Sequence, residues 1–350
     1  MPDPDAVKHF GVQLLQMYTG AALTKMIEIG YQTGLFEASK GGPVTLEELS
    51  RKAGLRERYV KEWLGGMTTG GIYSYDPASG RYTFPDAHAA LLTGDTPQNL
   101  TPMSRMINHF GTHLPKLIAC FREGGGVPYS AYRPVFTQCM DDVWRRIYDQ
   151  QLISGFIAAA PRVMGALQRG IRVLDIGCGT GHAINLLARE YPDSSFVGYD
   201  IAEDAIARAR KEAQEMGLKN ASFEVLDVTD LAGSEKFDLI TAFDAIHDQR
   251  APAAVLQAIN RRLAPSGTFL MVEFKFSSLL EENLNNPFAT LYYGISLMHC
   301  MTVSLAAGGP GLGAVWGEQT ARRMLAEAGF GTVSVVDTPR PQNCIFICGH

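Results

Sequence analysis

The sequence predicts an α/β protein: a doubly wound, mostly parallel sheet running from Ile171 to the C-terminus, preceded by a smaller helical domain that closes on a two-stranded hairpin. Three observations predict it. After Ile171, apolar runs of strand length alternate with helical patterns, as in a parallel sheet covered by helices on both faces. A glycine-rich turn joins the first of those runs to the first of those helices. Before Ile171 the alternation is absent, and helical segments lead into two short alternating runs instead.

Composition sets the limits. With 350 residues the chain has room for one large domain and a smaller one. A hydrophobic share of 46% with 19% charged residues describes a soluble globular protein, and no apolar run approaches the ~20 residues of a membrane-spanning helix. The net charge of −5 sets the molecular field against polyphosphate, so no nucleic-acid partner is expected. The start Met1-Pro2-Asp3-Pro4-Asp5 lacks the basic and apolar regions of a secretory signal, which makes the cytoplasm the expected location. The six cysteines show no Cys-x-x-Cys spacing and no clustered histidines accompany them, so reduced thiols and no bound metal are expected.

In chain order, Leu14, Leu15, Ala21, Ala22, Met26 and Ile27 recur at helical spacing and predict a buried helix over 12–30. Thr45-Leu46-Glu47-Glu48 offers a capping box that starts a second helix, ended by Gly54. Residues 56–64 carry Tyr59, Val60, Trp63 and Leu64 on a third. Residues 72–75 and 82–84 alternate around the turn Asp76-Pro77-Ala78-Ser79-Gly80 and read as a hairpin. Three helices and a hairpin in this order make a winged-helix arrangement over 1–95. Its third helix mixes Arg56, Arg58 and Lys61 with Glu57 and Glu62, without the positive excess of a groove-reading helix. The expectation is therefore a homodimerisation and substrate-lid module, with DNA binding as the rival.

Residues 95–126, with Pro97, Pro102, Pro115 and the Gly124-Gly125-Gly126 run, read as a connector or mobile flap. An amphipathic helix follows over 141–167, completing a helical connector and lid region at 96–168. From 169 onward comes the sheet domain. Residues 172–176, 195–199, 221–226, 237–242 and 268–273 read as strands, and 183–190, 202–216, 252–263 and 318–328 as helices. Residues 332–337 and 344–348 have no helix between them, which puts an antiparallel strand into the sheet.

The most specific motif is Val173-Leu174-Asp175-Ile176-Gly177-Cys178-Gly179-Thr180-Gly181-His182, where a buried strand turns into a helix. Glycines at alternate positions let the backbone press on a ligand with its amides facing inward. The dinucleotide fingerprint spaces its glycines G-x-G-x-x-G, whereas this turn reads G-x-G-x-G behind an aspartate. That carboxylate repels a pyrophosphate and attracts an ammonium group, so a ligand with an amino-acid head fits better than NAD.

The turn resembles motif I of the class I S-adenosylmethionine-dependent methyltransferases, whose sheet domain is Rossmann-like, and the resemblance continues in order down the chain. Phe196-Val197-Gly198-Tyr199-Asp200 resembles that family's second strand, ending in the acid that takes the ribose hydroxyls. Glu224-Val225-Leu226-Asp227-Val228 resembles the third, with its acid toward the adenine amino group and the next amide toward the ring. Phe237-Asp238-Leu239-Ile240-Thr241-Ala242-Phe243-Asp244 resembles the fourth, beneath the methionine end, and Leu263-Ala264-Pro265-Ser266-Gly267-Thr268 matches the turn into the fifth. The resemblance implies a cofactor shell of Asp175, Gly177, Gly179, Gly181, Asp200, Ile201, Asp227, Val228 and Phe243.

With its N-terminal half included, the chain is similar to the small-molecule O-methyltransferases, which carry a winged-helix dimerisation domain. In that family a His-Asp pair follows the fourth strand and the histidine takes the acceptor's proton; here Ala245-Ile246-His247-Asp248-Gln249 stands there, with Gln249 where tryptophan is usual. His247 is the candidate catalytic base, with a cofactor-proximal or structural role as the alternative. Residues 277–313 add an aromatic and Met-rich insertion that suits an apolar acceptor pocket or ordinary packing. Trp144, Tyr148 and His299 are the candidate acceptor contacts. The expected activity is metal-independent methyl transfer to a small molecule, most readily at oxygen, with nitrogen or sulfur as alternative acceptors. A cofactor-sensing transcriptional regulator is the rival of another class.

Overall fold

The computed structural model describes residues 1–231 and 233–350, and its internal contacts divide the chain into two compact units, Met1–His109 and Phe110–His350. The first unit opens with a 29-residue helix, α1 (Pro4–Gln32), in which the Asp3 side chain caps the start and Pro4 takes the first position. The burial expected for this helix is corrected: of its residues only Gly30 is buried, while Phe10, Leu15 and Tyr18 are exposed. Its apolar residues are spread around the whole circumference, so one packed face cannot cover them.

After α2 (Leu35–Ala38) come α3 (Leu46–Ala53) and α4 (Glu57–Thr69). The capping box forms as expected: Glu48 N donates to Thr45 Oγ1 at 3.2 Å and Thr45 N to Glu48 Oε2 at 2.9 Å. A hairpin of β1 (Ser74–Asp76) and β2 (Arg81–Thr83) and the short α5 (Asp86–Leu92) complete the arrangement. An aromatic nest holds it together, with Tyr73 stacked on Phe84 at 4.7 Å and Trp63 edge-on to Phe36 at 5.2 Å.

The stretch read as a connector folds instead into α6 (Thr101–Gly111) and α7 (Leu114–Glu123). Its prolines misled because Pro102 and Pro115 sit in first turns, where a missing N–H costs nothing. Met106, Phe110 and Leu117 supply the buried anchors. After α8 (Tyr129–Tyr132), the single amphipathic helix that was expected is broken into α9 (Val135–Gln151), a π-helical turn at Leu152–Ile157, and α10 (Pro161–Arg169).

The sheet domain follows the sequence closely: β3 (Arg172–Ile176), α11 (His182–Glu190), β4 (Ser195–Asp200), α12 (Glu203–Glu215), β5 (Ala221–Val225), β6 (Phe237–Phe243), α13 (Pro252–Arg262) and β7 (Leu263–Phe274). The insertion carries α14 (Leu280–Asn283), α15 (Ala289–Ile295), a π-helical turn at Ser296–Cys300, and α16 (Met301–Ala306); then come α17 (Gly317–Glu327), β8 (Thr332–Asp337) and β9 (Asn343–Gly349). The seven strands lie in the order β5-β4-β3-β6-β7-β9-β8, all parallel except β9, which pairs antiparallel with both neighbours. Alternate residues enter different cores: Val173, Leu270, Val272 and Ile345 on one side, Leu174, Ile176, Met271 and Phe346 on the other. Burial on both faces is what the continuous apolar runs require. Because strand order reverses between β3 and β6, the carboxyl ends of the strands open a crevice there.

Candidate functional site

The glycine turn sits at that switch point. Gly177, Gly179 and Gly181 all have positive φ, which side chains with a Cβ rarely adopt. Their further jobs differ. A Cβ on Gly177 would lie 2.6 Å from the Ala245 Cβ, and one on Gly181 2.5 Å from the Ala209 Cβ, so both positions are closed by protein packing. A Cβ on Gly179 would meet nothing within 4 Å; this is the glycine whose backbone faces open space.

Around the turn stand the strand-end acids. Asp200 Oδ2 accepts from Gly179 N and Oδ1 from Ala202 N, each at 2.8 Å, so the carboxylate is oriented and retains lone pairs. Burial raises its pKa, and those two amides pull it back. The adjoining Ile201 is exposed. Asp175, on the same face of β3 as Val173, accepts from Thr241 Oγ1 at 2.6 Å, and burial lifts its pKa to about 7 against that hydrogen bond. Asp227 Oδ1 accepts from Thr229 N and Thr229 Oγ1, and its other oxygen pairs with Arg250 at 3.1 Å; Val228 beside it is buried. Phe243 packs its ring against Tyr148 and Phe156.

Past the end of β6, His247 is 2% exposed and its Nδ1 lies 2.6 Å from Glu273 Oε2, near the end of β7. Glu273 is fixed in turn by Ile246 N at 3.3 Å and Trp316 Nε1 at 3.3 Å. Burial works against charging the imidazole, but the Glu273 carboxylate and the Cys300 sulfur outweigh it and raise the ring's pKa well above the ordinary value. The packing of Gly177 on Ala245 brings this segment against the glycine turn. Asp244, the residue before Ala245, has φ 50° and is the one non-glycine residue with positive φ among those described. Strain of this kind persists where the surroundings over-determine it, often at ligand sites.

Of the candidate acceptor contacts, Trp144 and Tyr148 stack at 5.1 Å, and Tyr148 adjoins Phe243. His299 is 1% exposed and packed among Phe110, Tyr129, Tyr132 and Phe136, its ring 3.8 Å from that of Phe136. Sequence reasoning missed several residues. Glu273 ends an apolar strand as Asp200 does, a signal that could have found it. Asp141 belongs to a helix read only for its apolar face, yet its buried carboxylate accepts from Thr180 Oγ1 in the glycine turn at 2.5 Å and pairs with Arg145 at 2.9 Å and Arg208 at 2.5 Å. No helix of the described residues is long and apolar enough to cross a membrane.

Comparison with known proteins agrees with this architecture. Residues 167–329 match the model of a methyltransferase domain, and residues 21–94 that of the Rv2258c-like winged HTH domain. A ubiquinone biosynthesis O-methyltransferase of Neisseria meningitidis serogroup C (strain 053442) is 35% identical over 102 residues, 28% of this chain and 42% of that protein. The aklanonic acid methyltransferase DauC of Streptomyces sp. (strain C5) is 36% identical over 115 residues, 32% of this chain and 52% of the relative. The chain thus aligns with about half or less of these relatives' length. The solved structure of mitomycin 7-O-methyltransferase MmcR superposes with a TM-score of 0.73 at 14% identity, covering 99% of this chain and 100% of that one. Human N-acetylserotonin methyltransferase, solved with SAM, superposes with a TM-score of 0.68 at 18% identity, covering 97% and 98%. The chain carries a methyltransferase domain behind a winged helix-turn-helix domain, in a fold shared along its whole length with these structures.

Proposed function

We propose that the chain transfers the methyl group of S-adenosylmethionine to a hydroxyl of a small-molecule acceptor, with His247 removing the acceptor's proton. The observation that carries this reading is the buried His247–Glu273 pair, set against the glycine turn through Ala245. The residues present fit the cofactor: an open backbone at Gly179, an oriented carboxylate at Asp200 and a buried acid at Asp175. When bound, it supplies an electrophilic methyl group on a sulfonium.

In this reading the chain's own residues do the positioning and the proton transfer. Asp200, beside Ile201, accepts hydrogen bonds from the ribose; Asp227 and the Val228 amide face the adenine; Asp175 and Phe243 border the methionine end. Displacement at a methyl group depends above all on alignment, which pre-positioning can supply to the extent of ~7–11 kcal/mol. His247 Nε2 takes the hydroxyl proton while Glu273 holds Nδ1–H and stabilises the imidazolium that forms. Cys300, the ring's other hydrogen-bonding neighbour, is a weak partner that an acceptor hydroxyl displaces. The exposed apolar residues of α1 support pairing of two copies through that helix.

The test is His247→Ala. It lowers turnover by ~100- to 10,000-fold, the usual worth of a positioned base, and leaves affinity for S-adenosylhomocysteine unchanged by calorimetry. Because the folded pKa of His247 is raised, the native rate climbs with pH through a value above the ordinary imidazole range, and the variant lacks that limb. Native turnover in the variant, or loss of cofactor affinity, overturns the assignment.

A further inference from the structure

We infer that the acceptor carries an anionic oxygen group, a carboxylate foremost, and that Arg340 selects it; this rests on the methyl-transfer reading above. Arg340 lies in the turn between β8 and β9, half-buried, its guanidinium 5.8 Å from the centre of the Trp144 ring. Its Nε donates to Asn343 Oδ1 at 3.3 Å, and Asn343 Nδ2 donates to Asp244 Oδ1 at 3.4 Å. That is its only side-chain hydrogen bond among the described residues, and no described carboxylate stands within ion-pair distance of it. Both Nη groups are therefore unspent. A planar guanidinium in that state matches a carboxylate through two parallel hydrogen bonds.

The complementary need lies beside it. Asp244 Oδ2 is buried and has no hydrogen-bond partner. A buried carboxyl oxygen without a partner costs ~1–3 kcal/mol, and a ligand hydroxyl, which donates and accepts, can supply that partner. One molecule meeting both needs presents anionic oxygen to Arg340 and a hydroxyl to the Asp244 and His247 side. The flanking walls are aromatic: Trp144 stacks on Tyr148, while Tyr292 packs on Phe274 at 4.5 Å and Phe274 lies 5.6 Å from the His247 ring. The charges of Arg340 and Asp244 both act on Tyr148 and Tyr292, which places these groups in one neighbourhood. An aromatic hydroxy acid is the acceptor class that satisfies the set.

The experiment loads the full chain with S-adenosylhomocysteine and titrates it by calorimetry with the three isomeric hydroxybenzoates and with the methyl ester of each. Native protein, Arg340→Met and Arg340→Lys are compared. At least one acid binds the native protein ~10-fold or more tightly than its ester, the scale of a charge-assisted hydrogen bond. Arg340→Met brings that ratio to about one, Arg340→Lys retains part of it, and all three proteins bind S-adenosylhomocysteine alike. Equal binding of acid and ester, absence of binding by both series, or a preference that survives Arg340→Met overturns the inference. So does a loss of S-adenosylhomocysteine affinity in Arg340→Met, which makes the arginine a cofactor ligand. Failure of the native protein to bind S-adenosylhomocysteine at all overturns the methyl-transfer reading instead.

Discussion

Two sides of the glycine turn differ in how their charges are satisfied. Behind it, Asp141 is held by Arg145, Arg208 and Thr180, while Glu212 accepts from His182 and Asn185 and pairs with Arg145. His182 also reaches Asp149 at 2.9 Å. Every acid there has a partner. In front, Asp244 keeps an oxygen unpaired, Arg340 lacks a carboxylate, and burial raises Asp175 and Asp248, the latter to about 6. A paired buried network fixes geometry, whereas an unpaired one needs a water, an ion or a ligand to complete it. The contrast separates residues that build the turn from residues that the proposed methyl transfer would set against a ligand.

The largest effect that would break this comparison belongs to the paired side. Asp141→Ala removes the buried acceptor shared by Thr180, Arg145 and Arg208 and should lower stability by about 3 kcal/mol, the upper end for hydrogen bonds to a charged group, because Arg145 stays paired with Glu212 and Arg208 is solvated. Urea unfolding measures it, and a loss below ~1 kcal/mol would place the network among surface ion pairs of little weight. On the open side, Asp200→Ala should leave the fold intact and weaken S-adenosylmethionine binding by ~1.5–3 kcal/mol, the worth of hydrogen bonds to a charged group. Calorimetry decides; unchanged affinity in a folded variant removes Asp200 from the ribose role.

The smallest effect sharpens the comparison through pH. Burial pushes Glu212 upward, but hydrogen bonds from His182, Asn185 and Arg145 prevail and bring it from 4.5 to about 2. Its folded pKa lies below the unfolded one, so its contribution is present above the unfolded value and is lost as pH falls through the folded one; partial solvation limits it to about 1–2 kcal/mol. Asp175 is the reverse case. Raised from 3.8 to about 7, it favours the folded chain while protonated, and that contribution is lost as pH rises between those values. Glu212→Gln should flatten the acid limb of the urea midpoint against pH, and Asp175→Asn the limb above it. A single limb altered by both variants would mean that the two sides titrate as one unit.

The sheet domain was legible wherever a local backbone demand writes itself into residue order. Alternating strand and helix patterns located the seven strands of the large sheet, and the absence of a helix before β9 announced its antiparallel direction. Where prolines occupy first turns, the residues of α6 and α7 read as a broken connector, since a proline marks a break and a helix start alike. The exposure of α1 was not legible either. Its apolar residues look the same whether their cover comes from this chain or from elsewhere.

By itself the sequence determined the glycine turn, the strand-end acids Asp175, Asp200 and Asp227, and the place of His247, because each depends on residues adjacent in the chain. Only the tertiary structure decided what faces them. Glu273 meets His247 across 26 residues, and Asn343 meets Asp244 across 99, because β7 lies beside β6 and β9 beside β7. Spacing along the chain carries no record of such meetings. They arise when strand order brings distant ends to one crevice, where burial then settles which charges are paired and which await a ligand.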